Sequence, residues 1–134
     1  MLPLFFYGTL MDSDVRRLIV GRPLDVFPAQ LLDYRRVPVA KRSYPTLLAC
    51  ANACVDGVLA QDISPEELER LIDYEGDDYV LKPVRVVLAG GEKRQAQAFM
   101  TSPGILCSSH LEWKLNDWQQ RHKRRFLSQK PGPY

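Results

Sequence analysis

The sequence has few of the residues that metal centres and disulfide frameworks need. It contains only three cysteines and two histidines among 134 residues, and an odd, low cysteine count is typical of proteins from a reducing compartment. We therefore expect a cytoplasmic protein. A zinc site could be drawn from Cys50, Cys54, Cys107 and His110. Its spacing is looser than that of typical zinc sites, and we expect no metal.

Long hydrophobic runs are absent as well. The first ten residues are apolar, but they lack a basic beginning, and Asp12 and Asp14 follow directly. This excludes the usual layout of a signal peptide and is too short for a membrane span, so we expect no membrane partner. The H-E-x-x-H, Walker A and G-x-S-x-G patterns are also missing, which argues against three common kinds of catalytic site.

Charge of neither sign dominates the chain. Eighteen basic residues stand against sixteen acidic ones, for a net charge of +2, which is not typical of a general nucleic-acid binder. The run Arg121–Arg125 could contact phosphates, but basic residues are also favoured at the C-terminal end of a helix by its dipole. We expect no nucleic-acid partner and keep phosphate binding by this run as a lesser alternative.

What the sequence does have is the composition of a one-core domain rich in strands. Hydrophobic residues make up 46%, and ten prolines and eight glycines indicate many turns. Gly90 and Gly91 lie between two runs of alternating apolar and polar residues, which predicts a β-hairpin there. The predicted strands are Leu2–Tyr7, Leu31–Val39, Thr46–Ala51, Asp56–Ile63, Tyr79–Leu88 and Lys93–Thr101.

Three helices are predicted from capping residues and helical spacing of apolar residues. The first starts at Asp12 or Ser13 and ends at Gly21, with Val15, Leu18 and Ile19 at helical spacing. The second has a capping box, because Ser64 precedes Glu67 by three residues, and it ends at Gly76. Its predicted buried residues are Leu68, Leu71 and Ile72. The third runs over 109–127, with Leu111, Leu115, Trp118 and His122 at helical spacing.

The turn Tyr7-Gly8-Thr9-Leu10 is the first candidate for a site. A strand that turns through Gly8 into a helix leaves backbone N–H groups without partners. With the helix dipole, such groups can bind a carboxylate or a developing oxyanion. A single glycine is weak support, however, and it can equally be one that merely turns the chain.

The second candidate is Glu75, at the end of the second predicted helix. Like charges from Asp73, Asp77 and Asp78, together with burial, would raise the pKa of its carboxyl group toward that of a general acid or base. Burial would come from Leu71, Ile72, Tyr74 and Tyr79. The alternative is a solvated acidic helix end, which is at least as common for such a segment.

These segments, taken in order, resemble a known family. Tyr7-Gly8-Thr9-Leu10, Ser43-Tyr44-Pro45, Asp56-Gly57-Val58-Leu59 and Tyr74-Glu75-Gly76-x-x-Tyr79 follow the order seen in gamma-glutamylcyclotransferase-like proteins, which include gamma-glutamylamine cyclotransferases and avirulence-induced proteins. The segment from Trp118 to Leu127 is similar to the tail of bacterial members. The sequence departs from the family pattern at Ile72, where an aspartate is frequent, and at Ala60, where many members carry an aromatic residue.

The resemblance implies an α+β fold, a small mixed β-barrel with flanking helices. We expect one such domain over residues 1–128 and a frayed tail over residues 129–134. The resemblance also implies a small-molecule gamma-glutamyl substrate and no cofactor. In this chemistry the α-amine attacks its own γ-carbonyl, which gives 5-oxoproline and a free amine.

The resemblance further implies a role for each candidate residue. Glu75 would act as general acid and base, as the one catalytic residue. Substrate would be bound by Tyr7, Gly8, Thr9, Leu10, Tyr44 and Tyr79, with the amides of the turn holding a carboxylate or the oxyanion. Tyr79 would orient Glu75 or the substrate, and Tyr44 would line the pocket. The alternative function is a non-catalytic protein of the same fold that binds a small carboxylate.

Overall fold

The barrel forms because five strands pair edge to edge until the sheet closes. The structure is a computed structural model that describes residues 2–40, 42–102, 107 and 111–129. Within those ranges the strand order around the barrel is β1-β3-β2-β4-β5, and β5 pairs with β1 in parallel while the other pairs are antiparallel. The strands are β1 (Leu2–Phe6), β2 (Val26–Pro38), β3 (Pro45–Ile63), β4 (Tyr79–Leu88) and β5 (Lys93–Thr101). The prediction of a small mixed barrel is confirmed.

The strands β2 and β3 are longer than predicted. The two segments predicted as separate strands, 46–51 and 56–63, form one strand, and β2 begins at Val26 rather than Leu31. Asn52 adopts the left-handed conformation (φ 69°) and donates its backbone N–H to Asp33 Oδ1 at 3.1 Å. Asp33 is left-handed too (φ 66°), and the pairing shifts register beside it. The paired strands β2 and β3 therefore continue through a bulge at this point, where the sequence had indicated a break between two strands.

The helices lie outside the barrel and are capped largely as the sequence predicts. They are α1 (Ser13–Val20), α2 (Pro65–Glu75), α3 (Leu115–Trp118) and α4 (Arg124–Gln129), with a 3-10 turn at Thr9–Met11 and a π-helical turn at Gln119–Lys123 that joins α3 to α4. Asp12 caps α1 by accepting hydrogen bonds from two backbone N–H groups, and Ser64 and Glu67 form the predicted capping box of α2.

Three apolar residues at predicted helical spacing are exposed, and the predicted burial of Ile72 is wrong. Leu18 of α1 and Ile72 of α2 are each 45% exposed, because the short helices bury a narrower stripe than their apolar spacing indicated. Leu111 is also exposed, and the last helix starts at Leu115 rather than at position 109. The chain before it is held extended, since the N–H of Trp113 donates to the Arg36 carbonyl and its indole Nε1 donates to the Ser43 carbonyl. The frayed tail predicted for 129–134 begins at the last helical residue and otherwise lies outside the described residues.

Two hydrophobic clusters hold the layers together. One consists of strand residues such as Phe5, Leu31 and Val86, together with Tyr7 of the turn. The other joins the outer face of the barrel to the helices through residues such as Ile19 and Leu71. Alternate residues of β1 contribute to the two clusters, as the period of a strand requires. Strand β1 is thereby buried on both faces, and its end is fixed where the chain turns.

Gly57 allows β1 to lie close against β3. A Cβ atom at this position would approach Phe5 Cζ to 2.6 Å and would also collide with the Phe6 carbonyl oxygen. The Asp56-Gly57-Val58-Leu59 segment therefore has a structural role beside the turn that follows β1.

Among the described residues no helix is long and apolar enough to cross a membrane.

Candidate active site

A small cavity at the end of β1 brings the two candidate segments together. It has a volume of about 30 Å³, and its walls include the turn Tyr7–Leu10 on one side and Glu75 on the other. Tyr44, Pro45, Tyr79 and Phe99 also line it. Every residue for which the sequence predicted a role thus lies on one cavity.

The turn presents backbone N–H groups that have no acceptor. The carbonyl groups of Gly8 and Thr9 accept hydrogen bonds from Met11 and Asp12, at 2.9 and 3.0 Å, and so close the 3-10 turn. Within the described part of the chain no group accepts from the N–H of Gly8, Thr9 or Leu10. An anion in the cavity could therefore be bound by up to three amides.

Glu75 is the last residue of α2, and Gly76 ends the helix with its N–H donated to the Ile72 carbonyl and a positive φ of 76°. The residue keeps some surface exposure, but its carboxyl group lies in a densely packed part of the protein, and this burial raises the pKa to about 8. The predicted contribution of the neighbouring acids is wrong, because burial alone accounts for the shift and Asp73 and Asp77 are exposed.

Two tyrosine hydroxyl groups beside Glu75 are already used. Tyr7 donates its hydroxyl hydrogen to the Phe99 carbonyl, and Tyr79 donates to the Pro45 carbonyl at 2.6 Å. Burial raises the pKa of both hydroxyl groups, and the nearby Glu75 carboxylate raises them further. Both tyrosines therefore stay protonated. They contribute shape and an acceptor oxygen, but their hydrogens are not available to a substrate.

A second, larger cavity opens beside the first. This outer chamber has a volume of about 200 Å³ and shares Thr9, Tyr44, Glu75 and Tyr79 with the inner cavity. Its other walls are Ser43, Tyr74, Trp118 and Phe126. No role in the site was predicted for Tyr74, Trp118 or Phe126. Their aromatic character was the available signal, but Trp118 fitted a core helix stripe equally well.

The rings around the outer chamber support one another. Phe126 packs edge to face against both Tyr74 and Trp118, with ring centroids 5.9 and 5.6 Å apart. Tyr44 packs against Tyr79 at 5.9 Å. The hydroxyl group of Tyr74 lies 2.7 Å from Thr9 Oγ1 and so ties α2 to the turn. The walls of the chamber are thereby held by contacts among themselves.

Arg36 of β2 fixes the turn from outside the cavity. Its guanidinium donates to three carbonyl groups, those of Tyr7 at 2.9 Å, Asp56 at 3.0 Å and Trp113 at 3.1 Å. In a trans peptide the C=O and the following N–H point in opposite directions, and the chain has no cis peptide bonds among its described residues. The N–H of Gly8 therefore points away from Arg36. No sequence signal distinguished this arginine from its neighbours.

A residue of the basic run forms ion pairs with the start of α1. Lys123 Nζ lies 2.8 Å from Asp12 Oδ2 and 2.9 Å from Asp14 Oδ2, and Gln119 Nε2 donates to Asp12 Oδ2 at 2.8 Å. The pKa of Asp12 is lowered by these hydrogen bonds, which outweigh its burial. This part of the basic run thus attaches the C-terminal helices to α1.

No group of three or more His, Cys, Asp and Glu side chains within the described ranges could hold a metal ion. Of the residues from which a zinc site could be drawn, Cys54 is exposed and His110 lies outside those ranges.

Solved structures with the same architecture define the class of protein. The chain is similar to an Arabidopsis thaliana protein of known solution structure, with a TM-score of 0.70, 26% identity, and coverage of 96% of this chain and 78% of that one. It is also similar in fold to a gamma-glutamyl cyclotransferase, with a TM-score of 0.66, 16% identity, and coverage of 80% and 68%. The fold is therefore that of the gamma-glutamylcyclotransferase-like proteins.

Sequence comparison names the family. Residues 4–120 match the family described as gamma-glutamyl cyclotransferase, AIG2-like. AIG2-like protein D of Arabidopsis thaliana is 30% identical over 125 residues, which are 92% of this chain and 82% of the relative. AIG2-like protein C of the same plant is 29% identical over 126 residues, 93% and 73% of the two chains. The chain belongs to this family, and the resemblance seen in its motifs is confirmed. The similarity of its tail to bacterial members stays a prediction.

Family and fold together support activity of the gamma-glutamyl cyclotransferase type on a small molecule.

Proposed function

We propose that the protein is a gamma-glutamyl cyclotransferase that converts a small gamma-glutamyl amine or peptide into 5-oxoproline and a free amine, without a cofactor. One observation carries the proposal: the Glu75 carboxyl group and the unpaired amides of the turn Gly8–Leu10 lie on the same small cavity. The working unit would be one domain over residues 1–128, in the cytoplasm.

The turn supplies binding for the negative charge of the substrate. When the α-amine attacks the γ-carbonyl carbon, the carbonyl oxygen gains negative charge, and donors that are already in place stabilise it without reorganisation. The amides of Gly8, Thr9 and Leu10 are such donors, and they could equally hold the α-carboxylate. Tyr7, Tyr44 and Tyr79 would shape the pocket around the folded glutamyl chain.

Glu75 would move the protons that the reaction requires. A pKa of about 8 is close to that of an α-amino group, so a proton passes between the substrate ammonium and Glu75 at little cost. The amine then attacks, the new C–N bond closes the ring, and the bond to the leaving nitrogen breaks. Glu75 returns that proton to the leaving nitrogen, then takes the second proton from the ring nitrogen and releases it to solvent. Since the nucleophile is tethered to its target, holding the folded conformer supplies much of the rate enhancement.

The direct test is release of 5-oxoproline from purified protein. We expect turnover of at least one member of a panel of gamma-glutamyl amines and dipeptides, followed by mass spectrometry of product and free amine. A gamma-glutamyl compound whose α-amine is acetylated serves as the control, because its nucleophile is blocked. If a ligand raises the melting temperature but is recovered intact after long incubation, the protein is a carboxylate-binding protein and the proposal is wrong.

Arg36 is expected to act as a positioning residue in this reaction. A lysine cannot bind three carbonyl groups with one fork, so Arg36→Lys should release the Tyr7–Gly8 peptide and lower kcat/KM roughly 10–100-fold. The neighbouring Arg35→Lys is the control, because the Arg35 guanidinium donates to the Leu111 carbonyl instead. Both variants should be assayed well below their melting temperatures. Equal kcat/KM values for the two would show that Arg36 has only a structural role.

A further inference from the structure

We infer that the outer chamber binds the leaving amine and selects one that carries an uncharged aryl group, while disfavouring amines that carry a carboxylate. The inference rests on the proposed function and specifies the substrate class of that site.

The position of the chamber assigns it to the leaving group. The inner cavity is lined by the turn and, at about 30 Å³, takes one compact polar group of the substrate, so the rest of the folded glutamyl chain would lie where the two cavities meet. The outer chamber adjoins it along Thr9, Tyr44, Glu75 and Tyr79. With the γ-carbonyl oxygen at the turn and the leaving nitrogen beside Glu75, the substituent on that nitrogen extends into the chamber.

The size of the chamber fits one aromatic ring. An apolar protein cavity of about 150 Å³ holds a benzene molecule, and the chamber measures about 200 Å³. One phenyl group on a short linker therefore fits in the chamber beside the glutamyl atoms at the boundary of the two cavities. The rings of Tyr74, Trp118 and Phe126 already pack edge to face, the arrangement in which a further ring is also favoured.

Three hydroxyl groups in the walls of the chamber already have hydrogen-bond partners. Tyr79 donates its hydroxyl hydrogen to the Pro45 carbonyl, and the hydroxyl groups of Thr9 and Tyr74 are paired. No lysine or arginine is among the described residues that line the chamber. A carboxylate on the leaving amine would lie beside the Glu75 carboxyl group with no lysine or arginine among the described lining residues to pair with it, and such burial is costly.

The reaction is the intramolecular attack of the α-amine on the γ-carbonyl carbon. The substrate α-nitrogen forms the ring C–N bond, the bond to the arylalkyl nitrogen breaks, and the proton that leaves the first nitrogen is delivered by Glu75 to the second. A neutral arylalkylamine departs, and no oxidant or further reactant is required.

The test compares substrates that differ in one group. Gamma-glutamyl phenethylamide and gamma-glutamyl-phenylalanine share the phenyl group, and only the second carries a carboxylate on the leaving amine. We expect kcat/KM for the phenethylamide to be about 30-fold higher or more, because the carboxylate lacks a partner. Gamma-glutamyl 4-aminobutylamide tests a cationic leaving group, and gamma-glutamyl methylamide provides the baseline for an unfilled chamber.

Variants then locate the preference. Phe126→Ala should raise KM for the phenethylamide about 10-fold more than it raises KM for the methylamide, and Trp118→Leu should act in the same direction. Phe126 is only half-buried, so it serves if the Trp118 variant does not fold. Phe27→Leu, at an exposed position on β2, is the matched control for loss of an aromatic residue.

The outcomes separate the two proposals. Absence of 5-oxoproline from every substrate, the methylamide included, would contradict the proposed function itself. Turnover with gamma-glutamyl-phenylalanine or the aminobutylamide preferred would overturn only the inference about the chamber. Equal losses on methylamide and phenethylamide in the Phe126 variant would overturn it as well.

Discussion

Glu75→Gln should lower turnover of the preferred gamma-glutamyl substrate by about 10³-fold, while substrate binding changes little. The amide keeps the size of the side chain and can still donate a hydrogen bond, but it cannot take a proton from the α-amine or return one to the leaving nitrogen. Loss of a general acid–base group typically costs 10²–10⁴-fold. The measurement is kcat and KM from 5-oxoproline release, with ligand binding by calorimetry.

The control for this variant lies on the same helix. Glu69 also belongs to α2 but is exposed, so Glu69→Gln removes one negative charge without touching the cavity and should turn over substrate like the wild type. If Glu75→Gln is as fast as Glu69→Gln, the acid–base role of Glu75 is wrong. Loss of binding without loss of kcat would point instead to a role in holding the substrate.

The same residue should make the free protein less stable as the pH rises from about 4.5 to 8. Burial raises the pKa of the folded-state carboxyl group from about 4.5 to about 8. Between these values the folded state holds a proton that the unfolded state has lost, so unfolding becomes easier as pH rises. The loss amounts to at most about 4 kcal/mol above pH 8, since partial exposure of the residue allows water to reduce it.

Glu75→Gln removes this dependence, because an amide does not titrate. We therefore expect the variant to match the wild type near pH 4.5 and to be more stable by several kcal/mol near pH 9, as measured by urea denaturation at each pH. Glu69→Gln is again the control and should follow the wild-type curve. Parallel curves for wild type and Glu75→Gln would show that the carboxyl group titrates as it does in water.

A catalytic residue that lowers the stability of the folded protein is typical of an active site. The free energy of burying the Glu75 carboxyl group is what brings its pKa close to that of the substrate amine. The Glu75→Gln variant should therefore be less active and more stable at alkaline pH, a combination that a purely structural residue would not give.

Features that depend on residues close together in the chain were predicted correctly from the sequence. The capping box of Ser64 and Glu67, the end of α2 at Gly76 and the hairpin of β4 and β5 all depend on neighbours in the chain, and all were predicted correctly. The bend at Asn52 was read as a break, because a bulge and a turn use the same residue types.

Features made by distant segments were not predictable in this way. Arg36 reaches carbonyl groups of β1, β3 and the segment before α3, and nothing beside it in sequence announces those contacts. The aromatic walls of the outer chamber come from α2, the turn before β3 and the C-terminal helices. The cause of the Glu75 shift was also mistaken, since sequence shows which charges are adjacent but not which are solvated.

The sequence was enough to predict the caps of α1 and α2, the strand-rich class, the family motifs and the two segments that line the inner cavity. The folded structure was needed to show that these segments share one cavity, that burial raises the pKa of Glu75, and that an aromatic chamber adjoins the cavity. The difference arises from the distance along the chain between the residues that interact. Caps and turns are satisfied by atoms a few residues away, whereas burial and cavity shape arise when the barrel closes and brings together residues far apart in the chain.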